Sequence, residues 1–460
     1  MLSFTQTSFE RQSAFKSGRD ARAPVERIFK SLTQSSRAKL KNCFSPKPPM
    51  KMPENFAQTS RRAAEIFASS EKARSKILVL FGTRPEAIKL APVIYELKKS
   101  GQFQTTVVSS SQHTDLLAPF LKIFNLETDY DLRVMRANQT PTEVCARVLS
   151  ALDAILECEK PDALLVQGDT TTALSGALAA FNRKIKVGHL EAGLRSGNIE
   201  SPFPEEMNRR LISQISTFHF CATAENRKNL LAENICEKQI FVTGNTVVDA
   251  LHFILENKKP GAKIETLIEE TKGFKRVLLT THRRESFGAT MSGNLETLRD
   301  FVERHDDVCL LFPVHPNPNV RRATEEILAN RERIYLLDAL DYADFVALMK
   351  NAWLIASDSG GVQEEAPSLG KPLFILRENT ERPEAIKSGV AKLACENSLK
   401  ELLESNYNDE DWINSVKQIE NPFGRGDSAK RIVEILESRF FTAKTQRTQS
   451  KKKLTADASR

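Results

Sequence analysis

At 460 residues, with 40% hydrophobic and 27% charged side chains, the chain is long enough for two or three domains of ordinary soluble composition. Its net charge of +7 sits at the ends: residues 1–75 carry 15 Lys and Arg against 6 Asp and Glu, residues 441–460 carry 6 against 1, and the body between is near −7. A nucleic-acid binder concentrates positive charge on a folded face or groove, so nucleic acid is not expected as the substrate of the body. No run approaches the roughly 18 apolar residues of a membrane span. The seven cysteines (43, 145, 158, 221, 236, 309 and 395) form no C-x-x-C pair and have no histidine at metal-ligand spacing, so they read as buried apolar residues of a reducing compartment, with no metal and a cytoplasmic location expected. Both polar, basic ends, 1–75 and 441–460, are expected to be disordered extensions.

From Lys76 onward, apolar β-type runs alternate with helical patterns. KILVLF (76–81) leads into a helix over Pro85–Lys99; TTVVSS (105–110), a helix through Leu116–Phe124 and a long helix over Thr142–Glu157 follow. ALLVQ (163–167), KVGHL (186–190), HFCAT (219–223) and IFVTG (240–244) complete a first series. After a charged stretch at 256–275 comes a second: RVLLTTH (276–282), VCLLFPV (308–314), IYLLD (334–338), WLIAS (353–357), PLFIL (372–376) and AKLAC (391–395). Such alternation implies parallel sheets with helices on both faces. The fold class is therefore α/β, with two doubly wound Rossmann-like domains at 76–250 and 251–440 and a site in the cleft between them, at the carboxyl ends of the strands. The last helix, Ser428 to Phe440, is a candidate to cross back to the first domain.

Charged and polar residues gather where strands end. Ser357, Asp358, Ser359, Gly360 and Gly361 link WLIAS to a helix carrying Glu364 and Glu365. Backbone N–H groups there suit an anion, the glycines admit a phosphate, and the glutamates could accept from sugar hydroxyls; a tight acidic turn is the plainer alternative. After the first strand, GTRPEAIK puts Arg84 and Lys89 near a helix start, where cations oppose the dipole and are better explained by an anionic ligand or by plain solvation. Asp169 follows ALLVQ, where a plain N-cap is the alternative to a functional carboxylate; Glu191 follows KVGHL; Glu205, Glu206 and Arg209 open the helix of PFPEEMNRR. His282, beside Arg283 and Arg284, and His315 each follow a strand.

The ordered segments GTRPEAIK, GDTTT, HLEAGLRSG, PEEMNRR, GNTVVDAL, HRRESFG, SDSGGVQEEAPSLGKP and ERPEA resemble the non-hydrolysing UDP-N-acetylglucosamine 2-epimerase family from about Lys76 to Phe440. That resemblance implies a GT-B-like fold that holds UDP mainly in its second domain. It makes Arg84, Lys89, His282, Ser359, Gly360, Gly361, Glu365 and Arg382 contacts of the UDP-sugar, with Phe345 near the uracil or, alternatively, a core residue of its helix. Asp169, Glu191 and Glu205 become acid–base carboxylates, with His282 and Arg209 in the same set, and Gln112, His113, Arg283 and His315 fit a second, activating UDP-GlcNAc site. In that site Thr114, Asp115 and Asn138 depart from the family pattern, which points to weak activation.

The implied chemistry explains the mixture of charges. Carbon 2 of the sugar is attached to an acetal carbon, so its proton is not acidic enough for simple exchange. Departure of UDP with loss of that proton gives 2-acetamidoglucal, and re-addition with protonation on the opposite face completes epimerisation. No G-x-G-x-x-G follows a strand, so no NAD or other cofactor is expected. The implied partners are UDP-GlcNAc, UDP-ManNAc and a second copy of the chain. A GT-B glycosyltransferase, which would need an acceptor, is the nearest competitor.

Overall fold

The computed structural model describes residues 74–111, 120–136, 139–281, 288–394 and 398–442. Seven parallel strands make the first sheet, in the order β3-β2-β1-β4-β5-β6-β7: β1 (Ser75–Phe81), β2 (Phe103–Ser109), β3 (Tyr130–Asp131), β4 (Ala163–Gln167), β5 (Lys186–Leu190), β6 (Phe218–Cys221) and β7 (Ile240–Val242). Six make the second, in the order β10-β9-β8-β11-β12-β13: β8 (Lys275–Thr280), β9 (Val308–Pro313), β10 (Ile334–Leu337), β11 (Leu354–Ser357), β12 (Leu373–Ile375) and β13 (Ala391–Leu393). Strand order reverses between β1 and β4 and again between β8 and β11, the places where open parallel sheets leave a crevice at their carboxyl ends.

The apolar runs become strands because both faces of each sheet are covered. Along β1, Ile77, Val79 and Phe81 join one core while Leu78 and Leu80 join the core on the opposite face, as the two-residue period of a strand requires. Along β8, Val277 and Leu279 face one core and Leu278 the other.

Three departures from the sequence expectation have local causes. Two-residue β3, paired with Val108 and Ser109, is too short to leave a periodic signal, although Tyr130 is buried. β6 stops at Cys221, before the expected Thr223, because the Thr223 hydroxyl caps the next helix by accepting from Asn226 N at 3.2 Å. The charged stretch 256–275 contains a helix, Ala262–Glu270, anchored by buried Ile264 and Leu267 one turn apart.

Two helices tie the sheets together. Thr246–Asn257 buries Val247, Val248, Leu251 and Ile254 in a core that also holds Ile88 and Phe120 from the first half and Tyr342 and Val362 from the second. Ser428–Glu437 returns to the first sheet, where Ala429, Ile432, Val433 and Leu436 pack among Ile77, Val79 and Phe81. Asp249 accepts from the first amides of that returning helix, Ser428 N at 3.3 Å and Ala429 N at 2.8 Å.

Candidate active site

The strand ends of the two sheets meet in a buried ring of alternating charge. Lys89, on the helix Arg84–Ser100, lies 2.7 Å from Glu191 and 3.3 Å from Glu364. Arg382 closes the ring from the second sheet, its guanidinium reaching Glu191 at 3.2 Å, Glu364 at 2.7 Å and Glu381 at 2.8 Å. Arg377 balances Glu381 at 2.7 Å. Burial alone would push the Glu191 carboxyl up, but Lys89 and Arg382 outweigh it and hold the group down at about 2. At Glu364 burial wins over Arg382 and Lys89, so that carboxyl is raised.

Glu191 is placed with care. It follows β5 directly, with φ +62°, a left-handed conformation that costs a non-glycine residue about 1–2 kcal/mol. Lys89, Arg382, the Gln167 amide and Asn245 Nδ2, the last at 3.3 Å, hold its carboxylate in place.

A second group lies beside it within the first sheet. Asp169 ends the loop after β4 and receives Arg209 through Nε at 3.1 Å and through a second guanidinium nitrogen. Fully buried Glu206 takes the other side of Arg209 at 3.0 Å and also Arg210 at 3.0 Å. Glu205 starts the same helix, Glu205–Ile215, and is half-buried. Beneath the loop, His189 Nε2 donates to Gly168 O at 2.7 Å, and burial pushes the imidazole down to about 3, so this neutral ring fixes the backbone before Asp169.

Around the ring lie the other expected ligands of a nucleotide. Glu86 accepts from Gly82 N at 3.0 Å, Thr83 N at 2.7 Å and Thr170 Oγ1 at 2.7 Å, pinning the turn that carries Arg84 to the β4 loop. The Arg84 guanidinium stacks over Phe120, 4.1 Å from the ring centre. Buried Glu365 accepts from the Tyr342 hydroxyl, and burial pushes its carboxyl up to about 7. Ser359, Gly360 and Gly361 lie where β11 hands over to the helix Gly360–Glu365, but the two glycines differ. A Cβ on Gly360 would stand 2.6 Å from the Arg382 guanidinium, so this glycine admits the arginine; at Gly361 the nearest atom would be 3.9 Å away, leaving room for a ligand.

Of the expected residues, the structure joins Lys89, Glu191 and Arg382 in one cluster, Asp169 and Arg209 in a second, and Arg84 and Glu365 beside them. Phe345 is half-buried against the core of the second sheet. His315 is exposed beyond β9, its Nδ1 accepting from Asn317 N at 3.2 Å. His282, Arg283, Gln112, His113, Thr114, Asp115 and Asn138 lie outside the described residues, as do most of both basic ends. Sequence reasoning left Glu381, Gln167, Glu206 and Tyr342 without assigned roles, and offered Glu364 only as an acceptor for sugar hydroxyls, not as a partner of Lys89 and Arg382. Glu364 and Glu206 each adjoin an assigned glutamate, and Gln167 is the last residue of β4, a position that carried a usable signal.

Two doubly wound parallel sheets, joined at their strand ends through a charged interface, make this a GT-B-like α/β protein. The family model described as UDP-N-acetylglucosamine 2-epimerase matches residues 95–437. The Escherichia coli K12 UDP-N-acetylglucosamine 2-epimerase is 43% identical over 370 residues, 79% of this chain and 98% of that protein. Among solved structures, the Neisseria meningitidis UDP-GlcNAc 2-epimerase bound to UDP-GlcNAc superposes with a TM-score of 0.75 at 42% identity, covering 78% of this chain and 99% of that one. The Methanocaldococcus jannaschii enzyme in complex with UDP-GlcNAc and UDP gives a TM-score of 0.68 at 36% identity, over 78% and 99%. The chain belongs to the UDP-N-acetylglucosamine 2-epimerase family.

Proposed function

We propose that this enzyme interconverts UDP-GlcNAc and UDP-ManNAc at carbon 2 by eliminating UDP to 2-acetamidoglucal and adding it back, supplying UDP-ManNAc for cell-surface polysaccharide. The observation that carries this reading is the meeting of Lys89 and Glu191 from one sheet with Arg382 from the other, a carboxylate seated between two cations at the strand ends. Arg84, Lys89 and Arg382 take the diphosphate, with Ser359, Gly360 and Gly361 beside it. Glu365 takes the ribose hydroxyls, and Phe345 lies near the uracil. Asp169, Glu191 and Glu205, with His282 and Arg209, move and stabilise the proton at carbon 2. No metal or redox cofactor takes part in this scheme.

Gln112, His113, Arg283 and His315 form a second UDP-GlcNAc site in this reading, with activation weaker than is usual for the family. The enzyme is cytoplasmic and dimeric: Phe203, Met207 and Leu211, spaced by four, are 75%, 37% and 46% exposed and support a self-association face. Incubation with UDP-GlcNAc alone, followed through the anomeric proton signals, should yield a mixture with UDP-ManNAc, and in D2O the product should carry deuterium at carbon 2. A substrate left untouched until an acceptor is added would transfer the reading to a glycosyltransferase.

A further inference from the structure

Among the described residues, the ring of ion pairs at the sheet interface is already balanced in charge. Lys89, Arg377 and Arg382 face Glu191, Glu364 and Glu381, so with every group ionised the three cations and three carboxylates cancel. A diphosphate brings roughly two to three further negative charges, and seating it on Lys89 and Arg382 favours the loss of a carboxylate charge beside them or the movement of a carboxylate away. The members differ in how tightly they are held. Glu191 is fixed by Lys89, Arg382, Gln167 and Asn245, and Glu381 has Arg377 as well as Arg382. Among the described residues, Glu364 leans on two of the cations expected to hold the diphosphate and lies against the Glu191 carboxyl: Oε1 accepts from Arg382 Nε at 2.7 Å, while buried Oε2 lies 3.3 Å from Lys89 Nζ.

We propose that Glu364 is a positioning residue that stands in for the diphosphate on Lys89 and Arg382 in the free enzyme, and that nucleotide binding neutralises it with a proton taken from solvent. This rests on the UDP-sugar reading of the site. Among the described residues, the charged groups facing Glu364 are Lys89 from the helix Arg84–Ser100, Glu191 from the end of β5, Arg382 with Glu381 behind it, and Glu365 on its own helix, itself set against Arg84 and Tyr342. Burial and the neighbouring Glu191 already favour the protonated form, and a phosphate placed on the same cations removes the two attractions that oppose it. Glu364 thereby keeps two buried cations paired and correctly aimed while the site is empty, then yields them at little electrostatic cost.

The sign of the linkage follows. A site that gains a proton on binding an anion loses affinity as pH rises, by up to about tenfold per pH unit for one proton. Calorimetric titration with UDP between pH 7.5 and 9, where the nucleotide's own terminal phosphate is ionised, in buffers of different ionisation heat, should register uptake of close to one proton. Glu364→Gln should abolish the uptake, flatten the pH dependence and bind UDP up to about tenfold more tightly than the native enzyme at pH 9. The native titration needs no variant, and a thermal melt checks that the glutamine protein is folded. UDP binding without proton exchange, or uptake that persists in the Glu364→Gln protein, overturns the proposal. Absence of UDP binding at every pH would instead remove the UDP-sugar reading, and this inference with it.

Discussion

The two charge clusters of the interface are built on different principles. Asp169, Arg209, Glu206 and Arg210 all belong to the first sheet and its helices, so their geometry is set by one folding unit. Lys89, Glu191, Glu364 and Arg382 draw two members from each sheet, so that ring exists only while the sheets are together. The first is held within one sheet and its helices; the second depends on the two sheets meeting. Coulomb attraction between buried charges is strong, but each charge is costly to leave alone, so the crossing ring favours the closed arrangement or one in which a ligand replaces the missing partner.

Breaking the in-sheet cluster should affect chemistry without affecting closure. Asp169→Asn keeps the shape and the contact with Arg209 but removes proton transfer, so turnover of UDP-GlcNAc should fall by about 10²–10⁴ while UDP affinity changes little. A variant with full turnover would exclude Asp169 from the acid–base set. Breaking the crossing ring should affect everything that depends on closure. Arg382→Ala strands Glu191 and Glu364, which should cost about 3–5 kcal/mol in urea denaturation and weaken UDP binding as well.

The pH dependence of stability sharpens the contrast between neighbours. Glu191 is depressed to about 2, so its contribution is complete above the ordinary carboxylate range and is lost as pH falls towards 2. Glu365 is raised to about 7, so it favours the fold below the ordinary range and loses that contribution as pH climbs through 7. Glu365→Gln should therefore gain about 1–3 kcal/mol on the native protein between pH 4 and pH 8, read as a change in the gap between the two denaturation midpoints. The smallest effect belongs to a pair at neither cluster: Arg425 and Glu420, 79% and 80% exposed, should be separable by Arg425→Ala with no measurable shift in midpoint.

Much of this was legible in the chain. Strands such as KILVLF and ALLVQ announce themselves because sheets covered on both faces demand continuous apolar runs, and Asp169, Glu191 and Arg382 are marked by following strands that need no charge there. What was not legible depends on distance along the chain. Arg382 meets Glu191 across 191 positions, and no local pattern tells which of Glu364 and Glu365 will face Lys89. The same holds in the helix after Pro204, where Glu205 and Glu206 read alike but the turn buries Glu206 completely beneath two arginines. β3 shows the other limit: two residues carry no periodicity, and only pairing with β2 makes them a strand.

The helix Ser428–Glu437 also sets a timetable for the newborn chain. All seven strands of the first sheet have been made once Val242 emerges, yet one face of that sheet is finished only by Ala429, Ile432, Val433, Leu436 and Phe440, roughly 200 residues later. At a translation speed of about 5–20 residues per second, the half-built unit waits on the order of 10–40 s with Val79, Phe81 and Phe220 beside an empty groove. A ribosome-bound chain ending at residue 420 should be cut readily by protease in its first half, and one extended past residue 440 by the length of the exit tunnel should resist. The amino-terminal half thus depends on the carboxyl-terminal helix for its own completion, and chaperone occupancy during synthesis should fall only when that helix arrives.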